Sequence, residues 1–137
     1  MSAYIPQKLR KLVTERARGH CEYCLLHESD SYATFQVDHI ISLRHGGKTV
    51  AINLAYACLF CNRYKGSDVG TVLLPKHDFV RLYNPRSDNW KEHFDWQGLE
   101  MVPLSNIGEA TIKILDLNSL ERIMERQILQ EAGRFLR

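Results

Sequence analysis

The sequence predicts an α+β fold: an N-terminal helix, a small strand-and-helix core between two cysteine pairs, and a C-terminal cover of one hairpin and two helices. Three observations carry this expectation. Residues 34–43, TFQVDHIISL, are rich in β-branched and apolar types and read as extended chain. Apolar residues recur at three- and four-residue spacing after Pro6 and again near the C-terminal end, which is the helical period. Cys21 and Cys24 form one C-x-x-C pair, Cys58 and Cys61 a second, and together they use every cysteine in the chain.

The elements follow in order. Pro6 and the run QKLRKLVTERARG predict the first helix, because proline suits a first helical position and Gly19 suits the stop. Leu9, Leu12 and Val13 give it an apolar stripe. Cys21-Glu-Tyr-Cys24 follows as a tight turn. The strand over 34–43 is broken by Arg44-His-Gly-Gly47. INLAYA, residues 52–57, fits a strand or the start of a helix, and periodicity cannot arbitrate over so short a run. CLFCNRYKGS, from Cys58, opens a helix that stops near Gly66.

In the second half, NWKEHFDW and LEMVPL flank Gln97-Gly98, and two extended runs around a glycine-containing pair predict a hairpin. Residues 108–117 predict a short helix with Ala110, Ile114 and Leu117 along one face. Asn118-Ser-Leu-Glu121 resembles a capping box opening a last helix, with Leu120, Ile123, Met124 and Ile128 as its apolar stripe. Nothing in this half carries chemistry, so core packing is its expected role.

A chain of 137 residues with 45% apolar and 25% charged residues is expected to form one soluble domain, a motif core over 20–67 with an extension over 68–137. No apolar run approaches the roughly 20 residues that span a bilayer, and the N-terminus lacks the pattern of a secretory signal. The expectation is therefore a cytoplasmic protein with no membrane partner. Net charge is only +2, which excludes little. Residues 1–70 carry nine Lys/Arg against six Asp/Glu, and residues 71–137 nine against ten. Lys8, Arg10, Lys11, Arg16 and Arg18 cluster in one segment, which suits either a solvated helix face or contact with phosphates.

The cysteines point to a metal. Zn²⁺ takes four tetrahedral ligands, and thiolates suit it at about 2.3 Å. Two C-x-x-C turns close a four-sulfur site that crosslinks the chain across residues 25–57. A thioredoxin-like redox motif needs one such pair at a strand-to-helix junction, not two. Four sulfurs leave no open coordination position, so this zinc is expected to be structural and the chemistry must come from elsewhere.

Between and just after the two pairs lie Val37-Asp38-His39-Ile40-Ile41, Gly46-Gly47, Asn53-Leu54, Cys61-Asn62 and Lys65-Gly66. In order and spacing this run resembles the HNH endonuclease family, in a small, free-standing, four-cysteine form. The likeness covers about residues 20–67, and RLYNPRSDNWKEHFDW also resembles the tail of small members. The resemblance implies a ββα-metal finger, similar to a treble clef, and hydrolysis of DNA phosphodiesters that leaves a 5′-phosphate.

Such a reaction needs a nucleophilic water, a general base and a cation that stabilises the developing charge. His39 is the candidate base, because imidazole titrates near neutral pH. Asp38 is the candidate ligand of a hard cation, Mg²⁺ or Mn²⁺. Adjacent strand residues point to opposite faces, so the pair can serve one site only where the strand ends or twists. Asn53 corresponds to the middle Asn of the family and is expected to orient the loop that carries the base. Asn62 stands where the literal spelling has a last His, and its amide oxygen would be the second metal ligand. Lys65, with Lys8, Arg10 and Lys11, is expected to contact DNA phosphate. For His45 and His93 a structural role is the default. The alternative reading is a catalytically inactive, zinc-stabilised DNA-binding module. DNA is the expected partner on either reading, and a homodimer is left open.

Overall fold

The computed structural model describes residues 4–135, and by its contacts the chain forms two compact units. The first holds the described residues through Val69 together with Asn84–Ser87. The second holds Gly70–Tyr83 and the described residues from Asp88 onward. No helix among the described residues is long and apolar enough to cross a membrane.

In the first unit, helix α1 (Gln7–Ala17) begins after Pro6 and ends where Arg18 and Gly19 turn left-handed, as the sequence suggested. Its buried Val13 packs with Ile5 and Leu54, and Leu9, Val37 and Tyr56 close around that core. Strands β1 (Gln36–His39) and β2 (Leu54–Ala57) pair antiparallel, with Asp38 opposite Ala55 and His39 opposite Leu54. INLAYA is thus resolved: Ala51–Asn53 forms a 3₁₀ turn and the rest is β2. Helix α2 (Leu59–Lys65) follows at once, packs on both strands, and stops at Gly66.

The first strand is shorter than its composition suggests. It stops at His39 because the Asn53 side chain takes over the ladder. Asn53 Oδ1 accepts from Ile41 N–H at 2.9 Å, and its Nδ2 donates to Ile41 O and Lys48 O, each at 2.9 Å. The chain then folds through a 3₁₀ turn (Leu43–His45) and returns against itself at Gly47. A Cβ on Gly47 would lie 1.7 Å from Ile41 O, so only glycine allows that approach.

The second unit has two hairpins. Strands β3 (Gly70–Leu73) and β4 (Asp78–Arg81) form one that the sequence reading did not contain. Trp90–His93 is a short helix, α3, rather than extended chain, so the predicted hairpin begins later, as β5 (Phe94–Gln97) and β6 (Glu100–Pro103). The Asn89 side chain caps α3, accepting from Lys91 N–H, and this local bond starts the helix. Helix α4 (Asn106–Ile114) packs on β3, β4 and β6. Leu73, Leu82, Phe94, Met101, Ala110 and Leu115 supply the buried core.

Helix α5 (Leu120–Glu131) overturns its expected packing. Leu120, Met124 and Ile128 are 74%, 54% and 66% exposed, while Arg122 and Arg126 are buried. Loop carbonyls decide this. The Arg126 guanidinium donates to Leu99 O at 3.0 Å and Leu117 O at 2.6 Å, and lies over the Trp96 ring. Those acceptors need donors more than the helix needs an apolar face. The cap is Ser119, not Asn118. Asn118 instead bonds both backbone groups of Met101.

Thr111 ties this unit together. Its buried hydroxyl accepts from Tyr83 N–H at 2.8 Å and donates to Ile107 O at 2.7 Å. Thr111→Val keeps the shape and strands the Tyr83 N–H, so denaturant unfolding should show a loss of about 1–3 kcal/mol. An unchanged midpoint would mean that the bond contributes nothing.

Candidate functional site

The two cysteine turns converge in the first unit. The Cys21–Cys24 turn follows α1, with Cys21 N–H bonded to Leu26 O at 2.7 Å and Cys24 N–H directed at Cys21 Sγ at 3.5 Å. The second turn repeats this at the head of α2, where Cys58 is the N-cap and its Sγ accepts from Cys61 N–H at 3.4 Å. All four sulfurs lie within 4.8 Å of one another and are buried, and none is in a disulfide. Cys24 Sγ and Cys58 Sγ are 3.7 Å apart. A zinc tetrahedron with arms of about 2.3 Å has sulfur–sulfur edges of about 3.8 Å.

Burial pushes the thiols of Cys21 and Cys61 well above their ordinary range. Buried thiols that resist ionisation on their own become stable thiolates around a dication. The four cysteines therefore fit a structural zinc site.

Asp38 and His39, neighbours at the end of β1, meet different surroundings. Asp38 is 4% exposed. Its Oδ2 accepts from the Tyr23 hydroxyl at 2.9 Å and pairs with Lys65 Nζ at 3.1 Å. Its Oδ1 has two longer contacts among the described residues, Lys65 Nζ and Asn62 Nδ2, both at 3.4 Å. Burial raises the Asp38 carboxyl above the ordinary carboxylate range, with Lys65 and Tyr23 pulling in the opposite direction. His39 is half-buried, and its Nε2 lies 2.9 Å from Thr49 Oγ1.

Asp38, His39 and Asn62 all line one cleft of about 540 Å³, together with Arg10, Ser42 and Arg44. Asn62 comes from the first turns of α2. It is not the cap of that helix, a position Cys58 holds. Asn53 lies behind the cleft and fixes the backbone just after His39 through the three bonds described above.

The expected phosphate contacts divide. Arg10 reaches the cleft, held by a bond from its Nε to Ile5 O at 3.1 Å. Lys8 and Lys11 are exposed on α1 but are not among the residues lining the cleft, and Lys11 pairs with Glu15. Arg16 turns away from the basic segment and donates to Leu54 O at 2.7 Å. Lys65 departs furthest from expectation. It is 2% exposed, with Nζ on the Asp38 carboxylate and 3.0 Å from His39 O, so no phosphate reaches it as the site stands. A buried carboxylate demands a counter-charge, and α2 carries Lys65 to it.

Sequence reasoning missed Tyr23, Thr49 and Arg44. Tyr23 was visible as an aromatic inside the first cysteine turn, but no spacing ties it to Asp38. His93 bonds Ser105 Oγ at 2.6 Å and sits edge-on to Tyr83, a structural setting, while His45 is exposed beside Arg44. The tail segment contributes Arg86, whose guanidinium donates to Leu54 O and pairs with the Glu22 carboxylate.

Residues 21–68 match the model of the HNH endonuclease family. The match begins at the first cysteine turn and ends just past Lys65, so it contains both the sulfur cluster and the cleft residues Asp38, His39 and Asn62. The match supports a nuclease or nucleic-acid-binding function, together with metal binding. No curated protein and no solved structure matches the chain significantly.

The sulfur cluster makes a spectroscopic prediction. Protein refolded with Co²⁺ in place of Zn²⁺ should bind one equivalent and show sulfur-to-cobalt charge-transfer absorption, with the tetrahedral visible bands of a four-sulfur site. Cys58→Ser should weaken both. Absence of charge-transfer absorption in folded, cobalt-loaded protein would rule the cluster out as a metal site.

Proposed function

We propose that this protein is a metal-dependent DNA endonuclease of the ββα-metal type, with His39 as general base and Asp38 and Asn62 as the oxygen ligands of Mg²⁺ or Mn²⁺. The observation that carries this reading is the single cleft shared by Asp38, His39 and Asn62, inside the segment that matches the HNH endonuclease family.

The chemistry follows from the side chains. Thr49 at Nε2 leaves Nδ1 of His39 to take the proton from an attacking water, provided the imidazole carries its hydrogen on Nε2 and donates it to Thr49. Asn53 acts on the base only through the backbone, by holding Ile41 and Lys48 in place. Asp38 Oδ2 is already met by two close donors, so Oδ1 is the oxygen with coordination to spare. The Asn62 amide turns its nitrogen to Asp38, which leaves its own oxygen as the second donor. A carboxylate and an amide oxygen form a hard donor set, suited to Mg²⁺ or Mn²⁺ rather than to a thiophilic ion. The cation, when bound, stabilises charge on the phosphate and on the departing 3′-oxygen. Arg10 and Arg44 at the cleft wall offer positive charge to the DNA backbone, and Lys8 and Lys11 add to it from the exposed side of α1.

Zinc-loaded protein should nick supercoiled plasmid in Mg²⁺ or Mn²⁺ and leave a 5′-phosphate. His39→Ala should stay folded and lose about 10²–10⁴-fold in rate. A parent protein that shifts DNA on a gel yet fails to nick it with every divalent ion supplied would be a binding module instead. A folded His39→Ala protein at the parent rate would move the base elsewhere.

The same assay reads Asn62. Asn62→Ala should raise the Mg²⁺ concentration needed for half-maximal cleavage, and Asn62→His should shift preference towards Mn²⁺, Co²⁺ or Ni²⁺ while keeping activity. Superimposable Mg²⁺ curves for parent and Asn62→Ala would exclude the ligand role.

A further inference from the structure

We propose that Lys65 is a positioning residue: a built-in cation that clamps the Asp38–His39 dipeptide and sets how much divalent metal the site demands. The inference rests on the metal reading above and concerns a residue that the sequence placed on DNA.

The geometry carries it. One ammonium, 2% exposed, bridges two consecutive residues, with Nζ at 3.1 Å from Asp38 Oδ2, 3.4 Å from Asp38 Oδ1 and 3.0 Å from His39 O. Neighbours on a strand point to opposite faces. Here both line one cleft, and Lys65 holds the carboxylate of the first and the carbonyl of the second together at the end of β1. The Tyr23 hydroxyl braces the same carboxylate through Oδ2. Both braces concentrate on Oδ2, which leaves Oδ1 as the loosely held oxygen.

The charge has a second consequence. A carboxylate already paired with an ammonium attracts a dication less than a bare one, because the incoming ion meets a positive charge within a few ångströms. Lys65 therefore stabilises the metal-free site and weakens metal binding through the same contact.

The test uses the full, zinc-loaded chain at pH 8.5, with Mn²⁺ as probe, followed by the electron paramagnetic resonance of the free ion. Lys65→Met removes charge and bonds. Lys65→Gln removes the charge and keeps donors for Asp38 and His39 O, so it carries the test if the methionine variant fails to fold. Both variants should bind Mn²⁺ about tenfold more tightly than the parent, with DNA affinity in EDTA unchanged. At saturating Mn²⁺, Lys65→Met should cleave more slowly than the parent, and Lys65→Gln should recover part of the loss. Unchanged Mn²⁺ affinity overturns the inference. So does weaker DNA binding in EDTA with Mn²⁺ affinity unaltered, which would make Lys65 a phosphate contact after all. A parent that binds no Mn²⁺ beyond its zinc overturns the metal reading, and this inference with it, whereas an Mn²⁺-binding parent with an indifferent Lys65 overturns the inference alone.

Discussion

Four buried sulfurs set the geometry on which everything else in the first unit depends. The Cys21–Cys24 turn ends the N-terminal segment and the Cys58–Cys61 turn starts α2, so joining them fixes where that helix lies against β1 and β2. Asn62 and Lys65, which both reach Asp38, lie on that helix. A short domain buries too little apolar surface to fix such an arrangement by packing alone. A zinc ion on the four cysteines would supply the missing constraint.

Within that frame, the contrast between Asp38 and His39 supports the division of labour proposed for them. Asp38 looks inward, to Tyr23 and Lys65, and its charge is balanced within the protein. His39 rests on one neutral hydroxyl at the cleft wall. A ligand benefits from a fixed position, and a base benefits from a nitrogen left open to water. The Asn53 clamp serves both, since it ends the strand immediately after the pair and keeps the chain from continuing its alternation.

Much of the first unit was legible in the sequence, because its determinants are local or strongly patterned. The start and stop of α1, the paired cysteines and the stop at Gly66 all rest on residue types with few structural options. The length of β1 was not legible, because a side chain from residue 53 replaces the strand partner of residue 41. Nor was the burial of Lys65, which follows from a counter-charge demanded by Asp38 across the fold. The second unit was harder. The inverted α5 obeys loop carbonyls that no periodicity reveals, and β3–β4 carries no turn signature strong enough to announce it. The family match covers only residues 21–68, so the second unit is described by its own contacts alone.

The central claim is that a divalent cation sits between Asp38 and Asn62, beside His39. Substoichiometric Mn²⁺ added to zinc-loaded, isotopically labelled protein tests it most directly, because paramagnetic broadening falls steeply with distance. The account predicts that the Asn62 side-chain amide and the His39 ring broaden first and most strongly. Broadening centred on another part of the chain, or uniform weak broadening with no focus, would contradict it.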